Sequence, residues 1–342
     1  MSNSLHILQS GPQLSIQDLG RPGYRGQGLS VAGAMDAMAL HEGAALLRQE
    51  PGTAAIEMAG SGGRFKTDRD TRIALTGAVM SAQIDGTPIA WNASHLLPAG
   101  AVLSIGGATS GSYGYLHLGG GIATEPYMGA RATHQRAEIG PQLNTGRALP
   151  LGPDTRQEVN RTLPQDPRLA GGVLRCVASM QTSSFAQDVL DRFTATPFRR
   201  DARANRMGVR MDHDGAGFAT EGALSIVSEV TVPGDIQLTG DGAPFVLMVE
   251  CQTTGGYPRI GTVIPCDLPR AAQAPVGAPI TFEFIDMDAA IAAQRKHVET
   301  LKALPGKVTA LVRDPAQMGD LLSYQLVDGA TSATANPFEK ER

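Results

Sequence analysis

The string Gln252-Thr253-Thr254-Gly255-Gly256-Tyr257-Pro258 gathers several hydrogen-bonding groups into seven residues. It interrupts an apolar run at 245–249, and the apolar pattern resumes at 260–264. A plain hairpin needs about two to five turn residues, so this insert is longer and chemically richer than a reversal requires. Gln252 offers an amide donor and acceptor, Thr253 and Thr254 offer hydroxyls, and Tyr257 offers a ring with a polar tip. Gly255 and Gly256 leave their backbone N–H groups unshielded and free to take positive φ, which suits an anion-binding concavity. The set fits a small carboxylate, amide or carbamoyl group and contains no strong nucleophile or base. A glycine-rich bulge that simply packs its tyrosine would use the same residue types.

A second set lies near the N-terminus. Asp18, Arg21, Arg25 and Asp36 fall in a segment too rich in glycine to be regular. An Asp–Arg pair serves either as a structural bridge or as a clamp for a substrate carboxylate. Asp36 directly precedes a helical pattern, so an N-cap is the expected role. Arg206, Arg210 and Asp212 form a third group, which as a surface pairing would contribute little.

The seven histidines show no HxH or HExxH spacing, so no metal site is expected. His117 ends an apolar run beside Gly119-Gly120-Gly121 and reads as a half-buried strand residue. That triplet opens no helix and is not a dinucleotide fingerprint. Cys176, Cys251 and Cys266 are an odd set with no CxxC pair, which points to a reducing cytoplasmic compartment; Cys251 and Cys266, flanking the insert, read as buried and inert.

The elements that must position these residues are mostly strands. Among 342 residues, 41 glycines and 22 prolines punctuate short runs of Val, Ile, Leu and Thr. Expected strands cover 5–8, 55–58, 72–76, 103–105, 116–118, 172–176, 225–227, 245–250, 260–264 and 280–285. Three helices are expected: 37–48 behind Asp36; one capped by Ser183 or Ser184 with Phe185, Val189, Leu190 and Phe193 on one face; and 287–304, stopped by Pro305-Gly306. Many short strands with spaced turns mean a barrel or sandwich. The net charge of −4 gives no footprint for nucleic acid. No apolar run is long enough to span a membrane, and the first residues lack the pattern of a signal peptide.

Three marks recur in the same order. Residues 21–25 resemble 206–210, 85–89 resemble 241–245, and 98–101 resemble 275–278. They suggest two similar β-units, with about 21 more residues between the last two marks in the second half. The Gln252–Pro258 insert lies within that excess, and additions to scaffold loops tend to carry function.

The strings SIQDLGRPGYRGQGLSVAGAMD, NRMGVRM, SEVTVPGDIQL and VECQTTGGYPRIGTVIPCDLPRAAQAPVG carry a resemblance to the allophanate hydrolase subunit 2 family. That family includes the C-type subunits of 5-oxoprolinase, an antagonist of a kinase inhibitor, and one part of the urea carboxylase carboxyltransferase domain. The resemblance runs from about residue 5 to 290. It implies a mainly β protein of two cyclophilin-like barrel units, 1–160 and 165–290, followed by a helical and irregular tail, 291–342. It also implies partners: an allophanate hydrolase subunit 1 type protein (the B-type subunit of 5-oxoprolinase) and a third, A-type subunit.

The activity implied is ATP-dependent opening of 5-oxo-L-proline to L-glutamate, with ATP used by the complex. Substrate-binding residues carried over from the matching segments are Gln17, Asp18, Arg21, Asp36, Arg206, Arg210, Gln237, Gln252, Thr254, Gly255, Gly256, Tyr257 and Gln273, without individual roles. An alternative is carboxyl transfer from biotin held on another chain, since no Met-Lys-Met attachment segment and no ATP-grasp pattern occur here. A third reading is a non-catalytic protein that sequesters a partner. The chain departs from the family at 137–142, where relatives show a Gly-Gly pair.

Overall fold

The computed structural model describes residues 3–218 and 228–312. Its described residues form an eleven-stranded sheet in the N-terminal half and a closed seven-stranded barrel in the C-terminal half.

The sheet is organised by two long antiparallel strands, Thr71–Ile84 and Leu103–Leu118. The stretches expected as separate strands at 103–105 and 116–118 are the two ends of one element. Register shifts at Gly77, Val79 and Met80 bend this pair. Gly77 sits at φ +73, and a Cβ there would lie 2.5 Å from the Tyr113 carbonyl oxygen, so the first shift needs glycine. Ala55–Ala59 pairs with Leu103–Leu118 on one side and with Leu14–Gln17 on the other. Leu5, Ile7, Ile16, Ile56, Phe65, Ile73, Leu75 and Leu116 make the sheet's own core.

The barrel runs Gly172–Val177, Arg259–Val263, Asp235–Leu238, Pro244–Leu247, Gly208–Asp212, Phe198–Asn205 and Pro279–Phe284. It closes through parallel pairing of Gly172–Val177 with Pro279–Phe284. Phe193, Phe198, Phe218 and Phe282 pack at its centre, with ring centroids 4.8 to 5.8 Å apart. That cluster continues into Met35, Leu40, Tyr113 and Tyr115 of the other half, so sheet and barrel share one core.

Four helices complete the described fold. Helix α1, Ala37–Leu47, starts as expected: the Asp36 carboxylate accepts the Ala39 N–H at 3.2 Å. Helix α2, Gln187–Ala195, is not capped by Ser183 or Ser184, because Thr182–Ser184 forms a separate 3-10 turn and Ala186 occupies the cap position. Helix α3, Leu268–Gln273, was not expected. It follows a 3-10 turn begun by Pro265, and its own Pro269 lies in the first turn, where the missing N–H costs no bond. Helix α4 spans Met287–Lys307, with Pro305 and Gly306 inside its last turn rather than beyond it. Asp286 caps it by accepting the Ala289 N–H at 2.7 Å.

Of the three recurring marks, two are turns of the same kind. Gly86 and Gly242, and likewise Gly100 and Gly277, all take positive φ ahead of a strand. The first mark differs: residues 206–207 tip a hairpin, whereas 21–25 belong to a long loop. The expected strand at 225–227 lies outside the described residues. The last described strand is Thr309–Ala310, paired with Arg161–Thr162.

Candidate functional site

The glycine-rich loop after Leu14–Gln17 closes on itself and then reaches the barrel. Asp18 Oδ1 accepts the Gly20 N–H at 2.8 Å and Oδ2 accepts the Arg131 N–H at 2.6 Å, so this carboxylate shapes a turn. Its backbone carbonyl accepts the Ala34 N–H, and Val31 accepts the Arg21 N–H, which cinches the loop's neck. Gly20 and Gly33 meet at that neck, where a Cβ on Gly33 would come within 2.9 Å of the Gly20 nitrogen. The Ala32 N–H then donates to the Val249 carbonyl at 3.0 Å, joining the loop to the start of the 249–258 segment.

Several carried-over residues are turned into the protein, with most of their polar atoms bonded there and only Gln17 Oε1 and Arg21 Nη1 left over among the described residues. Gln17 is buried and donates to Ser15 Oγ and the Thr133 carbonyl. Arg21 is buried against the Ala132 carbonyl, and its burial pushes its pKa down. Its guanidinium donates to carbonyls, and Asp18 acts on it only through space.

Arg206 crosses from the barrel into the sheet half. It donates to Glu57, to Glu250 Oε1 at 2.5 Å and to the Gly33 carbonyl at 2.6 Å. Burial works against the Arg206 charge, but Glu57 and Glu250 outweigh it and hold the pKa above its ordinary value. Glu57 Oε2 also accepts from Tyr115 Oη at 2.7 Å and from the Met35 N–H at 2.8 Å. Asp36 Oδ2 accepts from Arg168 Nε and Gln273 Nε2, both at 2.8 Å, and Arg168 forks onto Glu42 at 2.8 and 2.7 Å. The Gln273 side-chain oxygen accepts the Ser112 and Tyr113 N–H groups. Asp36, Arg206 and Gln273 therefore tie the two halves together with their polar atoms engaged. Arg210 stands apart from them and pairs with Asp241 at 2.7 Å.

One constellation looks like a nucleophilic triad and is not. Ser30 Oγ lies 2.9 Å from His134 Nε2, and His134 Nδ1 lies 3.6 Å from Glu250 Oε2. The Ala137 N–H points at Nδ1 at 3.2 Å, so Nδ1 is the acceptor and Nε2 carries the hydrogen. The ring thus donates to Ser30 and cannot take its proton, reversing the orientation such chemistry needs. Burial also holds the His134 pKa below the ordinary value, in spite of Glu250. His117 is fully buried, not half-buried, and hydrogen-bonds Thr76 Oγ1 at 2.8 Å.

Unused hydrogen-bonding capacity appears where the 249–258 segment meets the N-terminal loop. The expected strand over 245–250 ends at Leu247. Met248 and Glu250 instead donate to the Met207 and Arg206 carbonyls, following the hairpin tip. Thr254–Gly255 forms a short ladder with Glu229–Val230. Gln252 Nε2 donates to Gln237 Oε1 at 2.9 Å, which leaves the buried Gln237 Nε2 without an acceptor among the described residues. A Cβ on Gly255 would lie 2.8 Å from that same nitrogen. The guanidinium nitrogens of Arg25 are buried with no oxygen acceptor among the described residues, and their side-chain neighbour is the Cys251 thiol. Burial pushes the Cys251 pKa up even so, which keeps it a neutral thiol. Thr254 and Tyr257 are exposed at the rim.

Cys251 and Gln252 are consecutive, so the Arg25 fork and the Gln237 amide flank one short stretch of backbone. Both offer donors. That arrangement suits a carboxylate or a developing oxyanion. Sequence reasoning grouped Arg25 with Asp18, Arg21 and Asp36 but did not carry it into the substrate-binding set, and it passed over Glu57, Arg168 and Glu250. A lone charge inside the apolar stretches 55–59 and 245–251 was the available signal for the two glutamates.

Residues 27–284 match the family model described as carboxyltransferase domain, subdomain A and B. The chain belongs to this family. It is 32% identical over 305 residues to the C-type subunit of 5-oxoprolinase from Escherichia coli (strain K12), covering 87% of this chain and 97% of that one. It is 26% identical over 329 residues to the urea amidolyase of Saccharomyces cerevisiae, 89% of this chain but 18% of that one. Among solved structures it superposes on the Kluyveromyces lactis urea carboxylase with a TM-score of 0.78 at 21% identity, covering 91% of this chain and 31% of the other. That last likeness is one of fold alone. No described helix of this family member is long and apolar enough to cross a membrane.

Proposed function

We propose that this carboxyltransferase-family chain is the C-type component of an ATP-dependent 5-oxoprolinase, acting only with B-type and A-type partners. The observation that carries the reading is the likeness to a C-type 5-oxoprolinase component along nearly the whole length of both chains. The chemistry is consistent with it. An unstrained lactam resists hydrolysis, so transfer of the γ-phosphoryl group of ATP to the lactam oxygen activates the ring carbon and releases ADP. Water adds to that carbon, the C–N bond breaks to give γ-glutamyl phosphate, and a second water releases phosphate and glutamate. In this reading the Arg25 guanidinium holds the substrate carboxylate, and the Gln237 amide with the Gly255–Gly256 backbone faces the oxygen that gains charge.

Reconstitution tests this. The chain is combined with its B-type and A-type partners, and ATP-dependent glutamate release from 5-oxoproline is followed with each component omitted in turn. Release only from the complete set supports the proposal. A folded, associated complex without turnover overturns it and moves the weight to a second reading, carboxyl transfer from a biotin carrier on another chain. The family description and the urea amidolyase likeness favour that second reading.

A further inference from the structure

On the side where α4 packs against α1 and the barrel strand Gly172–Val177, a cleft of about 280 Å3 opens between the barrel and the helices. Its walls differ in how their charges are spent. Arg168 is consumed by Asp36, Glu42 and the more distant Asp166, and Arg175 forks onto Asp267 at 2.9 and 2.6 Å. Arg270 and Lys296 are different. Arg270 donates one nitrogen to the Gly171 carbonyl at 2.8 Å and has no carboxylate partner among the described residues. Lys296 has neither an ion pair nor a hydrogen bond from its ammonium among them. Next to Lys296, the half-buried His297 faces the same cleft.

Two cations without a carboxylate partner among the described residues and an imidazole thus line one recess, Arg270 from α3 and the other two from α4. A planar carboxylate presents its acceptors at one end, whereas a tetrahedral dianion accepts from several directions at once. The volume lies near the lower end of the roughly 300–1,000 Å3 range of small-molecule sites, which favours a small ion over a nucleotide. We propose that this cleft is a phosphate site, taking inorganic phosphate between Arg270, Lys296 and His297. It lies apart from the Arg25–Gln252 region and its occupancy is independent of the oxoprolinase reading. Its back wall is Arg168, whose partner Asp36 caps α1, so an ion held here sits one ion pair away from the links between the two halves.

The test is phosphate binding to the full chain, read from the His297 imidazole by NMR. The resonance is assigned by its loss in His297→Gln. The charged or titratable groups acting on this ring are Asp166, Asp36, Asp267, Arg168 and, from α1, His41. Burial is the first cause holding its pKa below the ordinary value, and a bound dianion would raise it. Titration with inorganic phosphate, against chloride at matched ionic strength, is expected to shift the resonance saturably with a Kd of about 1 mM. It should also raise the His297 pKa. Lys296→Gln combined with Arg270→Gln should weaken binding at least about tenfold. Lys296→Gln alone, at an exposed helix position, guards against misfolding and should weaken it in the same direction. A linear, chloride-like response would overturn the proposal, as would saturation that both variants leave unchanged. Saturation by ADP without saturation by phosphate would overturn inorganic phosphate as the occupant.

Discussion

Gln273, at the end of α3, donates to Asp36 Oδ2 at 2.8 Å across 237 positions of sequence. Both residues were carried over as substrate-binding candidates, and the structure joins them to each other. Asp36 simultaneously caps α1 and receives Arg168, so removing its carboxylate strands one N–H of the buried Gln273 amide and one edge of a buried guanidinium. Losing a cap costs about 1 kcal/mol, and breaking a buried ion pair costs about 3–5 kcal/mol. Asp36→Ala is therefore expected to lower unfolding free energy by roughly 3–5 kcal/mol in urea denaturation. Asp36→Asn, which keeps an oxygen for the cap, should lose less. A loss below about 1 kcal/mol would show that the junction does not hold the halves together.

His117 sets part of the acid limb of stability. Burial holds its pKa at about 3, against an ordinary value of 6.5, and the ring stays neutral against Thr76. Between those values the unfolded chain binds the proton and the folded chain does not, so stability is fully present above pH 6.5 and falls as pH drops towards 3. From pH 6.5 to 5 this one group should remove roughly 2 kcal/mol. Burial lowers His41, His95, His134 and His297 as well, so they act with the same sign. In His117→Gln, the stability-versus-pH curve should flatten over that window while other slopes persist. An unchanged curve would mean that His117 protonates in the folded state.

The strands were legible because their signal is local: short apolar β-branched runs between glycine and proline turns, as at 172–176 and 260–264. The Asp36 cap was legible for the same reason. The single long strand Leu103–Leu118 was not, because its middle, Gly106-Gly107-Ala108-Thr109-Ser110-Gly111, is turn-like in composition and is held by the partner strand rather than by propensity. The candidate site was half legible. Residue type and glycine content picked out the two loops that meet, but not which side chains are spent on each other. Arg206 and Arg25 look equivalent in sequence. Only the fold supplies Glu57 and Glu250 to one and, among the described residues, no carboxylate to the other.

Gly255 separates the pocket reading of the 249–258 segment from the packed-bulge reading. Its Cβ would approach Gln237 Nε2 at 2.8 Å, Thr231 Cγ2 at 3.2 Å and Gln252 Nε2 at 3.3 Å. The nearest of these atoms ends a side chain, so the neighbours can shift at modest cost, yet the amide pair would be displaced. Gly255→Ala should change thermal stability by less than about 1.5 kcal/mol while lowering kcat/KM of the reconstituted complex at least about tenfold. Full activity in a well-folded variant would remove this loop from the site. A collapse of stability would favour the bulge.

Arg25 gives the sharpest separation of activity from stability. A buried guanidinium without a carboxylate contributes a desolvation cost to the folded state and no compensating pair. Arg25→Gln should therefore leave stability unchanged or raise it by up to about 1–2 kcal/mol. A hydrogen bond to a charged group is worth about 1.5–3 kcal/mol. If Arg25 binds the substrate carboxylate in ground and transition states alike, kcat/KM should fall about 10- to 100-fold, mostly through KM. Arg25→Lys keeps the charge but not the planar fork, and should recover only part of the loss. Steady-state kinetics of the complex with a urea melt of each variant decide the matter. Loss of stability with unchanged KM would make Arg25 a packing residue and hand the substrate carboxylate to another donor.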